Sequence, residues 1–121
     1  MKPEDVLKLK PTTLKQEQRE FYFENGYLLL ESIVPQKWLQ LLRSTTNNKI
    51  DESKKLSESN DIFDLDKGHS FENPRLRRLS SPNDHDDNYW KYASEFLPNI
   101  ISDLVGPNVK FHHSKLNFKW S

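Results

Sequence analysis

The chain has 121 residues, with 18 Lys+Arg against 18 Asp+Glu, so its formal net charge at neutral pH is zero. That balance speaks against nucleic acid as a main partner, because phosphate recognition leaves a clustered excess of basic residues. With 34% hydrophobic residues and no cysteine, the chain has material for a thin core only, and a disulfide framework and a thiolate metal site are excluded.

The first residues, Met1-Lys-Pro-Glu-Asp5, contain no apolar signal-peptide core. The longest wholly apolar run, residues 27–30, falls far short of the ~20 residues that span a bilayer. These features predict a cytoplasmic protein with no membrane partner.

Residues 1–11 are polar with two prolines and read as a lead-in arm. Thr13-Leu-Lys-Gln16 matches a capping box, which predicts a helix over 14–25 with Leu14 and Phe21 on one face. Gly26 supplies the left-handed residue that ends it. Residues 27–31 are predicted as a short strand, apolar on both faces and buried. Val34-Pro35 opens a second helix with Trp38, Leu39, Leu41 and Leu42 on its apolar side. It runs to 43, with Thr45-Thr-Asn-Asn48 weakening an extension to 56. Residues 51–83 are polar, lack periodicity and read as mainly loop. Asp86-Asp-Asn88 begins a third helix whose buried side is Tyr89, Trp90, Ala93, Phe96 and Leu97. Leu97, Ile100, Ile101, Leu104 and Val105 follow the i, i+3, i+4, i+7, i+8 spacing between Pro98 and Gly106-Pro107, which predicts the clearest helix of the chain.

Residues 109–119 are predicted as a strand. Alternation puts His113, Lys115, Asn117 and Lys119 on one face and Ser114, Leu116, Phe118 and Trp120 on the other. Before His113 the phase is reversed, with Val109 and Phe111 on what becomes the polar side, so a bulge or two-sided burial is expected. The pattern fits a half-buried strand with a wet polar side, and equally a barrel strand whose polar face lines a pocket.

Several segments, in order, resemble the phytanoyl-CoA dioxygenase family of iron(II)- and 2-oxoglutarate-dependent oxygenases. Leu14-Lys-Gln-Glu-Gln-Arg-Glu-Phe-Tyr-Phe-Glu-Asn-Gly-Tyr-Leu-Leu-Leu30 resembles the family's opening helix and strand, and Val34-Pro35 its next helix. Leu104-Val-Gly-Pro-Asn-Val109 resembles its helix-to-strand turn, and residues 113–120 the strand that follows. The resemblance implies an α+β chain: the mainly helical N-terminal part of a single double-stranded β-helix (jelly-roll) oxygenase domain, with the first barrel strand near 109–119. The C-terminal barrel and the family's iron-binding His-x-Asp, distal His and Arg are expected to lie beyond this chain. The parent enzyme is expected to use Fe(II) and 2-oxoglutarate and to hydroxylate a small-molecule substrate. By itself the chain is expected to be inactive and to bind neither group. The resemblance also implies that Lys115 contacts 2-oxoglutarate, that Arg78, in the Arg75-Leu-Arg-Arg78 cluster, is a second cosubstrate residue, and that His113 and Asn117 belong to the substrate pocket.

Two histidine motifs invite a metal reading. His85-Asp86-Asp87 contains His-x-Asp, the first two ligands of a facial triad. It precedes a helix and is crowded by acids, which an exposed helix N-terminus explains better. His112 and His113 would point to opposite faces of a strand and so would not share one ion. No metal ligand is assigned. A family member that halogenates or has lost activity, and a small complete helical binding module that displays Trp38, Trp90 and Trp120, remain alternatives.

Overall fold

The computed structural model describes residues 1–120. In chain order the elements are α1 (Pro3–Lys8), α2 (Gln16–Asn25), α3 (Gln36–Ser53), β1 (Phe63–Leu65), β2 (Leu76–Ser80), α4 (Pro82–His85), α5 (Asp87–Lys91), a π-helical turn (Tyr92–Phe96), α6 (Leu97–Val105) and β3 (Lys115–Asn117). Helices together with a small antiparallel sheet make the chain α+β. They form two compact units, one from residues 1–33 and 91–111 and the other from 34–90 and 112–120.

The first unit is organised around a buried acid and a buried base. The Asp103 carboxylate on α6 accepts the backbone N–H groups of Thr12 (2.7 Å), Thr13 (2.7 Å) and Leu14 (2.8 Å). Arg19 on α2 donates from Nε to the Asp103 carbonyl (2.8 Å), from Nη1 to the Leu9 carbonyl (2.9 Å) and from Nη2 to the Val6 carbonyl. Its guanidinium therefore meets the carbonyl end of α1, where a cation is favoured by the helix dipole. Around this hub Leu14, Ile100 and Leu104 are buried, with Tyr22, Leu28, Leu30, Ile33 and Phe96 packed against them.

Three expectations change here. The arm at 1–11 contains a helix, α1, because Val6 has a buried seat and Pro3 fits the first turn. The second helix begins at Gln16 rather than at 14. Asp103 takes the N–H groups of Thr13 and Leu14 just ahead of the helix, the N-cap moves to Lys15, and Gln18 Oε1 accepts the Lys15 N–H (2.8 Å). Residues 27–30 form no strand. Leu28 and Leu30 pack against the core, whereas Tyr27 (63%) and Leu29 (73%) are exposed. Gly26 ends α2 as expected, with φ +80° and its N–H on the Tyr22 carbonyl (2.8 Å). The helix between Pro98 and Gly106 also forms as expected, burying Ile100 and Leu104.

In the second unit α3 begins at Gln36, with Pro35 as its N-cap, and continues through Thr45-Thr-Asn-Asn48 to Ser53. Thr45 there is buried and gives its hydroxyl hydrogen to the Leu41 carbonyl (2.8 Å). The stretch 51–83, expected as mainly loop, holds two of the strands. The sheet order is β1-β2-β3, antiparallel throughout. Phe63, Leu76 and Leu79 form its buried side, with Ile50, Leu56, Ile62, Leu65, Leu116 and Phe118 around them. The 66–75 connection is closed by His69, which accepts the Arg75 N–H at Nδ1 (2.8 Å) and therefore donates from Nε2 to the Ser53 carbonyl (2.8 Å). After β2 comes the short α4, and the expected third helix is α5 followed directly by the π-helical turn, with Trp90 exposed rather than buried.

Candidate functional site

The site is the polar face of the sheet, opposite its apolar side. Side chains at paired positions of an antiparallel sheet point the same way, with Cβ atoms about 4.5–5.5 Å apart. Phe63 is paired with Leu79, and Leu79 with Leu116, which defines the apolar row. Asp64 is paired with Arg78, and Arg78 with Asn117, so acid, base and amide make one row across three strands on the other face. Ser80 is paired with Lys115 in the next same-facing row.

A β-bulge shapes this face. Asp64 pairs with Arg78 but Leu65 pairs with Leu76, so Arg77 is an extra residue in β2. The bulge lets Leu76 and Leu79 both reach the core although two residues separate them, and it keeps Arg77 and Arg78 out of the core. The Arg77 carbonyl accepts the Phe118 N–H (2.9 Å), and Trp120 Nε1 donates to the Leu76 carbonyl (2.7 Å), fixing β3 and its continuation along β2.

Arg78 is half-buried, and its Nε is fully buried with no hydrogen-bond partner among the described residues. Asp64 directly opposite is also half-buried, yet the two make no ion pair within 4 Å among the described residues. A buried donor without a partner is costly, so Arg78 is held in place by the packing around its stem at some expense. Lys115 and Asn117 are exposed at the ends of a three-residue strand whose middle residue, Leu116, packs into the core.

Three of the residues that sequence and resemblance nominate thus lie together: Arg78, Asn117 and Lys115. His113 does not join them on the strand, which starts at Lys115 rather than near 109. Residues 108–114 have no regular secondary structure. The rings of His112 and His113 meet edge-on, 4.4 Å between centroids and 77° between planes, so they do not point to opposite faces. Next to them, the Ser114 hydroxyl donates to Asn83 Oδ1 (2.5 Å) and the Ser81 N–H to the Ser114 carbonyl (3.2 Å). Asp64 and Ser80 are the site residues that sequence reasoning did not single out. Their only signal is the apolar-polar-apolar alternation of Phe63-Asp-Leu65 and Leu79-Ser80, too short to register as strands.

The metal motifs give no centre. Among the described residues no group of three or more His, Cys, Asp or Glu side chains converges on a point. His85 is exposed on α4, and Asp86 Oδ1 accepts the Asn88 N–H (2.8 Å) at the start of α5. No family model, curated protein or solved structure matches the chain. No helix among the described residues is long and apolar enough to cross a membrane.

Proposed function

We propose that this sheet face binds 2-oxoglutarate in an iron(II)-dependent oxygenase of jelly-roll fold that hydroxylates a small organic or acyl substrate, the iron ligands lying outside the chain. The order of segments resembling the phytanoyl-CoA dioxygenase family supports the reading. The structural observation that supports it best is the juxtaposition of Arg78 and Asn117 in one row with Lys115 in the next, beside a buried Arg78 Nε that has no partner among the described residues.

The donors fit a dicarboxylate. A guanidinium presents two parallel N–H groups to a carboxylate, an ammonium offers a point charge, and the Asn117 amide adds a neutral donor. Arg78 and Lys115 lie diagonally across the strand pair, about 7–8 Å apart at the backbone, a separation that long side chains bridge to hold the two ends of a short diacid. Lys115 keeps its stem over the strand and its charge in the binding region because Leu116 and Phe118 anchor β3 to the core. The residues present do not fit an iron triad, so no step is derived through the metal. When bound, 2-oxoglutarate is the two-electron co-reductant whose decarboxylation accompanies hydroxylation.

The test is iron(II)-dependent succinate formation from 2-oxoglutarate by the oxygenase that carries this chain. Lys115→Met keeps the stem and removes one charge-assisted hydrogen bond, worth about 1.5–3 kcal/mol, so the apparent KM for 2-oxoglutarate should rise roughly ten- to a hundredfold with melting unchanged. Normal cosubstrate kinetics in this variant would make Lys115 an ordinary solvated lysine and remove the assignment.

A further inference from the structure

The row that joins the two basic residues also contains an acid, and 2-oxoglutarate has no use for one. Asp64 sits in direct register with Arg78 on the same face, half-buried, and pairs with no cation among the described residues. Opposite charges at paired positions normally close on each other. Here each is left to a third party, and Arg78 Nε remains buried without a partner. A ligand that answers both must carry an ammonium and a carboxylate on neighbouring atoms, which is the head of an α-amino acid. Arg77 and Lys115 raise the local cation count above the single acid, so a second carboxylate on the ligand is also accommodated.

We propose that this face binds an acidic α-amino acid. Asp64 takes its ammonium, Arg78 and Asn117 its α-carboxylate, and Lys115 its distal carboxylate. Such an amino acid has the carbon skeleton and two carboxylates of the 2-oxo acid but replaces the oxo oxygen, which Asp64 repels, by an ammonium, which Asp64 attracts. It therefore competes with 2-oxoglutarate for the same side chains. The competition rests on the cosubstrate reading above; the amino-acid binding rests on the register alone.

The experiment is an amide NMR titration of the oxygenase that carries this chain, isotopically labelled, with L-glutamate and, separately, with 2-oxoglutarate in the millimolar range. The expected result is saturable shifts at Asp64, Arg78 and Asn117 with glutamate, and tighter binding of glutamate than of the oxo acid. Asp64→Asn should weaken glutamate about tenfold, the equivalent of one charge-assisted hydrogen bond, and leave 2-oxoglutarate unchanged or tighter. N-acetyl-L-glutamate, which lacks the ammonium, should reproduce that loss on the unmodified chain, so the outcome does not depend on how the variant folds. Glutamate binding that survives both changes overturns the proposal, as does the absence of any shift at this face. Binding of 2-oxoglutarate without glutamate overturns it too while leaving the cosubstrate reading intact; glutamate binding without succinate formation by the oxygenase removes the cosubstrate reading and keeps the amino-acid site.

Discussion

Removing the Asp103 carboxylate should unfasten residues 1–15 from α6. Three backbone N–H groups end on this one side chain at 2.7, 2.7 and 2.8 Å, and Asp103 is buried. Hydrogen bonds to a charged group contribute roughly 1.5–3 kcal/mol each. Because the three share one acceptor their losses do not add, and the Leu14 N–H is left buried without a partner. The expected cost of Asp103→Ala is about 3–5 kcal/mol, the range for stripping a partner from a buried charged network. At about 1–3 kcal/mol per M, the urea midpoint should fall by on the order of 1–5 M. Hydrogen exchange at the Thr12, Thr13 and Leu14 amides gives the local readout and should accelerate most. Asp103→Asn keeps one acceptor oxygen and should fall between. Burial pushes the Asp103 pKa up, but the three N–H donors and the Arg19 guanidinium outweigh it and hold the carboxyl below its usual value. The unfolded chain therefore binds this proton first as pH falls. The stabilisation is complete above the unfolded carboxylate value of about 4 and is lost as pH drops through the lower folded value. Asp103→Asn should remove that part of the acid slope. A cost below ~1 kcal/mol for the Ala variant, with unchanged amide protection, would refute the reasoning.

Further outcomes follow from other sites. Leu79→Ala empties a fully buried position under the sheet and should cost about 2–5 kcal/mol by chemical denaturation; a smaller loss would mean the sheet collapses around the gap. Gly26→Ala has no heavy atom within 4 Å of the new Cβ, so only the φ of +80° opposes it, at about 1–2 kcal/mol, and thermal melting should show the drop without loss of helix content. Burial raises the pKa of Tyr89, a rise that its hydrogen bond with Thr46 opposes, and burial alone raises that of Tyr92. Both raised phenols favour the folded state's neutral form, so stability should decline above the unfolded value of about 10; ultraviolet titration should show these two of the four tyrosines ionising late.

Legibility tracked how local each determinant is. The helix between Pro98 and Gly106 could be read because its stop signals and apolar spacing lie within nine residues. Gly26 could be read for the same reason. The start of α2 could not, because the acceptor that holds the Thr13 and Leu14 N–H groups ahead of it sits about ninety positions away on α6. β1 is three residues long, and the extra Arg77 breaks the period of two in β2, so neither strand carried a usable pattern. The site inherited that division. Alternation put Lys115 and Asn117 on a common face, whereas Arg78 opposite Asn117 needed the strand pairing, and Asp64 was invisible without it.

The bulge at Arg77 also says how this face is encoded. In a plain pleat two inward leucines are separated by an odd number of residues; Leu76 and Leu79 are separated by two. Dropping Arg77 leaves Leu76-Arg78-Leu79, an unbroken in-out-in sequence that keeps both leucines in place with one arginine between them. The second cation thus depends on the extra residue in the strand as well as on its being arginine. Deleting the Arg77 codon is expected to turn a two-arginine face into a one-arginine face with both leucines still inward, so strand length as well as side-chain identity sets the charge of this face.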